Sequence, residues 1–169
     1  MVLFIGFVFI VTSCNCNKNK VVNSVKSKEQ INTTLDNWHK DVATFKYDAY
    51  FNAMDDDAVF IGTDASEIWT KQAFQKFAKP YFDKKKTWNF TAITRNIHLS
   101  KDGKTAWFDE LLNTQMKICR GSGVLAKKDT VWKIKQYVLS LTIPNDSIKS
   151  VISIKSKSDS IFNKNAKKQ

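Results

Sequence analysis

Histidine and cysteine are scarce in this 169-residue chain, which has only His39 and His98, and Cys14, Cys16 and Cys119. No Cys-x-x-Cys pair occurs, so a zinc site of the Cys/His kind lacks its ligand set, and neither a metal nor a cofactor is expected. Long apolar runs are missing too. The run from Val2 to Val11 is roughly half of the ~20 residues a spanning helix needs. No internal repeat is visible, which argues against a repeat architecture. Acidic residues are the minority sign, 16 against 27 basic, for a formal charge of +11. The location of that excess decides what it means. Residues 15–30 carry four lysines against Glu29, and residues 144–169 carry six against Asp146 and Asp159. The segment between holds 17 basic and 13 acidic residues, so most of the excess lies in the tails. Nucleic-acid binding would need a basic face with interleaved aromatics and is not expected. Basic tails instead suit an anionic membrane surface, at roughly 1 kcal/mol per nearby lysine.

The stretch "FVFIVTSCNCNK" (7–18) runs from apolar residues through Val11-Thr12-Ser13-Cys14 into Asn and Lys. It has the length and small-residue ending of a secretory signal, and it resembles the bacterial lipoprotein box. No Lys or Arg precedes the apolar run, a departure from the usual charged start. The resemblance implies a signal peptide over 1–13, lipidation of Cys14, a flexible tether over 14–30, and a membrane-anchored lipoprotein of the cell envelope facing the periplasm. The alternative is a buried N-terminal strand. Export would permit a Cys16–Cys119 disulfide, with two free thiols as the simpler state.

Downstream, Leu35, Trp38, Val42, Phe45 and Ala49 recur at helical spacing, with Asn32-Thr33-Thr34 as N-cap candidates. "AVFIGT" (58–63) reads as a short strand. Thr70 can cap a second helix with Phe74, Phe77 and Tyr81 on its apolar face, which Pro80 should bend or end. From residue 87 the texture becomes long β segments, with turns at Lys101-Asp102-Gly103 and Asp129-Thr130. In the first of them the alternation slips between Phe90 and Ile93, which predicts a bulge near Ala92. Helices followed by long strands make an α+β fold, a cone-shaped curved antiparallel sheet covered by N-terminal helices, with a cavity at its wide end. The C-terminal residues 156–169 read as a basic disordered tail.

The segments "DDDAVFIGTDASEIWT", "TAWFDELL" and "CRGSGVLAKKDTVWKIKQYVLSLTIPND" resemble SnoaL-like proteins of the nuclear transport factor 2 superfamily, over roughly residues 31–155. The resemblance implies the same cone. Its members include cyclases, ketosteroid isomerases and dehydratases besides non-catalytic proteins, so fold does not decide chemistry. The isomerase needs a carboxylate base and an acidic oxyanion donor. By ungapped count these positions fall at Gly62 and Gly123, where neither group exists.

Several residues are candidates for a ligand site: Trp38, Tyr50, Phe60, Asp64, Trp69, Glu110, Arg120, Gln136 and Ser140. By period-2 alternation Gln136 and Ser140 share a face with Trp132, Ile134 and Val138, and would be polar groups in an apolar wall or bonded to a neighbouring strand. Glu110 and Arg120 could form an ion pair or present a guanidinium to an anion. Asp64, Glu67 and Trp69 form an acidic-aromatic loop at a plausible pocket mouth. His39 falls off the helical stripe and reads as exposed, and His98 as half-exposed. The five tryptophans serve mostly packing. The reading that follows is a domain binding a small, largely apolar ligand or a protein partner, without established catalysis. Two alternatives are a cyclase-, isomerase- or dehydratase-type enzyme using Asp64 or Glu110 as base, and a module that homodimerises through its open sheet face.

Overall fold

The computed structural model describes the backbone of residues 15–166 and the side chains from residue 23 onward. The segment expected to be a signal peptide and Cys14 lie outside the described residues. Helix α1 spans Asn15–Ala43, so the segment expected as a tether is helical from residue 15. The N-cap candidates therefore sit mid-helix, where Thr33 and Thr34 hydroxyls donate to the carbonyls of Glu29 and Gln30. Ile31, Leu35, Trp38, His39 and Val42 form its buried stripe. The helix was expected to run on through Ala49. It ends instead at Ala43, the turn after it passes through Phe45 with a left-handed φ of 62°, and the chain restarts as α2 (Tyr47–Asn52), which buries Tyr50 and Phe51.

Six strands follow: β1 (Met54–Ile61), β2 (Ile68–Thr70), β3 (Phe90–Leu99), β4 (Thr105–Thr114), β5 (Lys117–Lys128) and β6 (Val131–Leu141). They form one sheet in the order β2-β1-β6-β5-β4-β3, antiparallel except for the β1–β6 pair. Helix α3 (Lys71–Asp83) sits between β2 and β3, and the Thr70 hydroxyl accepts from the amide of Ala73 as the cap expects. Pro80 does not end α3, which continues to Asp83. Phe74, Ala78 and Phe82 are its buried face, while Phe77 and Tyr81 are exposed.

The expected slip in β3 is present, with Ala92 opposite Leu112 and Thr94 opposite Leu111. A second bulge matters more. Ile134 pairs with Leu125 but Gln136 pairs with Val124, so Lys135 is an extra residue in β6. After it the parity inverts, and Tyr137 and Leu139, rather than Gln136 and Val138, continue the inner face begun by Trp132 and Ile134. The core lies between this concave face and helices α1–α3, and is rich in aromatic rings. The last described element is α4 (Ile148–Ala166), entered through a 3₁₀ turn at Asn145–Ser147. The expected disordered tail is thus helical to Ala166, with no buried residue. No helix among the described residues is long and apolar enough to cross a membrane.

Candidate functional site

Two groups of side chains carry chemistry inside the cone. The first is a buried polar cluster centred on Glu110, which β4 points inward and which has no exposed surface. Its Oε1 accepts from His39 Nε2 at 2.8 Å and from the Tyr137 hydroxyl at 3.0 Å. Its Oε2 lies 2.8 Å from both Nε and Nη2 of Arg95, with Nε making the aligned hydrogen bond. Arg95 Nη1 continues outward to Asp36 and Asn32 on α1. Because an ionised carboxylate only accepts, Nε2 is the protonated nitrogen of His39 at this contact. Burial alone would raise the Glu110 pKa. The His39 hydrogen bond and the neighbouring positive charge outweigh that and hold it below the usual value. Burial, reinforced by the Glu110 charge, raises the Tyr137 pKa well above that of a free phenol. The cluster closes on β5 at Gly121, where a Cβ would stand 2.2 Å from the Tyr137 hydroxyl oxygen. Only glycine leaves room for that hydroxyl.

The second group surrounds a cavity of about 140 Å³ at the end of the sheet where β1 finishes and β4 turns into β5. Phe60, Trp69, Phe74, Phe77, Trp88 and Phe90 supply its aromatic wall. Many of these rings are nearly parallel: Phe60 stacks on Phe74 at 4.1 Å between centroids, and Trp69 on Phe77 at 4.8 Å. Met116 and Leu139 add aliphatic surface, and Thr63, Glu67 and Gln115 add polar groups. A larger cleft of about 810 Å³ lies at the opposite end, between the start of α1 and the β3–β4 hairpin. It is lined by Ser, Asn and Lys rather than by core residues, so the aromatic cavity is the better ligand candidate.

The sequence candidates divide between these places. Phe60 and Trp69 line the aromatic cavity. Trp38 and Tyr50 do not: they stack on each other at 5.0 Å and 5° and are buried core. Glu110 belongs to the polar cluster and pairs with Arg95 and His39, not with Arg120. The latter sits opposite Leu111 on the outer face, one residue out of phase with Gly121 beside Glu110. Gln136 and Ser140 are exposed on the outer face because of the Lys135 bulge, which corrects their assignment to the pocket wall. Asp64 is exposed in the β1–β2 loop and accepts from the amide and hydroxyl of Ser66 at 2.9 and 2.6 Å. Those bonds lower its pKa. His39 is buried rather than exposed. A stripe started at Ile31 instead of Leu35 would have included it, since 31, 35, 38, 39 and 42 follow helical spacing. His98 is exposed and stacks on Trp107 at 5.7 Å. Cys119 is a buried free thiol.

The positions that the resemblance assigned to the isomerase base and acid are also placed. Gly62 lines the cavity, and the Glu67 carboxylate fills its side-chain space: a Cβ there would stand 2.1 Å from Glu67 Oε2. At Gly123 a Cβ would meet the Gln136 carbonyl at 2.3 Å and the Phe108 ring at 2.9 Å, which leaves no room for an acidic side chain.

A curved sheet wrapped around helices, with an aromatic cavity at one end, defines an α+β cone of the cystatin-like kind. The family model for the SnoaL-like domain matches residues 31–144, more than half of the chain. The chain belongs to that family. Similar solved structures include a nuclear transport factor 2-like protein with a cystatin-like fold from Novosphingobium aromaticivorans. It is 7% identical, with a TM-score of 0.62, over 83% of this chain and 98% of that one. A candidate scytalone dehydratase from the same organism is 9% identical with a TM-score of 0.61, over 73% and 89% of the two chains. A candidate calcium/calmodulin-dependent protein kinase II association domain from Xanthomonas campestris is 18% identical with a TM-score of 0.51, over 68% and 86%. At these identities the likeness shows the fold alone. No curated protein matches the sequence.

Proposed function

We propose that this is a membrane-anchored binding domain that holds a small, largely apolar molecule in the aromatic cavity. The observation that carries the reading is the convergence of six aromatic side chains from β1, β2, α3, β3 and the loop before β3 on one solvent-connected space. Apolar wall with few polar groups is the usual composition of a small-molecule site. Lipidation of Cys14 would tether the domain to the periplasmic side of a membrane. The lysines of α4, Lys149, Lys155, Lys157 and Lys164, would favour an anionic surface. A compact, single-ring solvatochromic dye of a size to enter about 140 Å³ tests the cavity: it should bind the full chain saturably, and Trp69→Ala should weaken it about tenfold. Binding unchanged in that variant would place the dye elsewhere and refute the reading.

An isomerase or dehydratase reaction through Asp64 or Glu110 gains no support. A general base works best with a pKa near the operating pH, and both carboxyls are shifted downward. Glu110 also has no exposed surface on which to meet a substrate. Homodimerisation through the outer sheet face is the second reading. It draws on Trp107, about half exposed on that face, and on the half-buried Leu111 farther along the same strand.

A further inference from the structure

We infer that the cavity selects a compact organic cation, an ammonium group carrying apolar substituents, with Glu67 as its counter-charge. The inference rests on the reading of the cavity as a ligand site and names the class of ligand.

Glu67 is the one charged residue in the wall, although the chain carries 27 basic residues against 16 acidic. A wall drawn at random from this composition would more often have been positive. Its carboxylate is held there by the loop. The Gly62 amide donates to the Glu67 carbonyl at 2.9 Å, and the Glu67 amide to the Asp64 carbonyl at 3.0 Å. The Asp64 amide donates to Oε2 at 3.2 Å. The missing side chain of Gly62 gives that oxygen its place over the strand. No Lys, Arg or His forms an ion pair with Glu67 among the described residues. Its charge is therefore free for a ligand.

Ligand classes can be sorted on this basis. An anion would meet the Glu67 carboxylate and no cationic group in the wall. A neutral apolar molecule would cover the rings but strip water from Glu67 without replacing it, which costs free energy. A cation with methyl or methylene groups answers both features, because ammonium groups are attracted to aromatic rings as well as to the carboxylate. The volume of about 140 Å³ lies below the ~300–1,000 Å³ of drug-sized sites, so the ligand is compact.

The test uses choline and its uncharged carbon isostere, 3,3-dimethyl-1-butanol, titrated against the full chain by tryptophan fluorescence with the dye as competitor. Choline should bind at least about tenfold tighter than the isostere. Added salt should narrow the gap, and Glu67→Gln should abolish it. Equal or tighter binding of the isostere would overturn the cation assignment and leave the apolar-pocket reading standing. So would dye binding that neither compound displaces. If neither compound nor the dye binds, the pocket reading fails as well. Should Glu67→Gln fail to fold, the wild-type comparison and its salt dependence still decide the matter.

Discussion

Replacing Glu110 with glutamine keeps the shape of the side chain and removes its charge, and this change separates a structural cluster from a catalytic one. In the folded protein the carboxylate is fully buried and receives His39, Tyr137 and Arg95 at 2.8–3.0 Å. The amide that replaces it has one accepting oxygen instead of two. Either the Arg95 side or the His39–Tyr137 side then faces an N–H group, and the buried guanidinium keeps only the exposed Asp36 carboxylate as counter-charge. Breaking a buried ion pair from one side costs about 3–5 kcal/mol. Because glutamine can still accept one of these bonds, the lower end of that range, about 3 kcal/mol, is expected. A domain of this size holds roughly 5–15 kcal/mol in all, so the variant should fold but with much reduced stability. With a urea dependence of about 1–3 kcal/mol per molar, the unfolding midpoint should fall by roughly 1–3 M. Tyr137→Phe, which removes one 3.0 Å bond, should cost about 1–2 kcal/mol, and the double variant should show coupling. Dye binding should survive in the Glu110→Gln variant below the transition, since Glu110 does not line the cavity. A destabilisation under about 1 kcal/mol, or a specific loss of ligand handling at unchanged stability, would refute the structural assignment.

Acid should destabilise the domain through the same group and through Asp55. Asp55 is buried, and although burial opposes its ionisation, Lys128, the Asp56 amide and Lys135 lower its pKa. Both folded pKa values lie below the unfolded ones, so the stabilisation is present above the unfolded carboxyl range, about pH 4, and is lost as the pH falls through the folded values. A flat unfolding midpoint from pH 6 to pH 3 would contradict this. A chain ending at Ser147 should unfold within about 0.5 kcal/mol of the full chain, because α4 buries nothing and packs chiefly against the turn that precedes it; a larger loss in urea titration would show that α4 supports the cone. Cys14→Ala should leave the chain unprocessed or released from the membrane, and unchanged mass and fractionation would remove the lipoprotein reading. No isomerisation of a β,γ-unsaturated ketosteroid is expected, since loss of a general base alone costs about 10²–10⁴-fold. Turnover that disappears in Asp64→Asn would restore Asp64 as a base.

Local signals in the sequence were enough for the architecture. Helical spacing at Leu35, Trp38 and Val42, the Thr70 cap, the Lys101-Asp102-Gly103 turn and the parity slip beside Ala92 each act over a few residues, and each appears where it was expected. The family resemblance rests on the same segments. Of the residues expected at a pocket mouth, Glu67 and Trp69 border the aromatic cavity, whereas Asp64 of the same segment does not line it. The positions of the other side chains depended on longer-range geometry. One extra residue at Lys135 turned Gln136 and Ser140 outward and Tyr137 inward; its one local sign is the adjacent polar pair Lys135-Gln136, which a strict period-2 count from Trp132 passes over. The left-handed residue Phe45 cut the first helix and put Tyr50 into the core. The partners of Glu110 come from α1, β3 and β6, between 15 and 71 residues away along the chain. Only the closing of the sheet around α1 brings Glu110, His39, Arg95 and Tyr137 together, and a buried charge must find partners wherever the fold supplies them, whatever their distance in sequence.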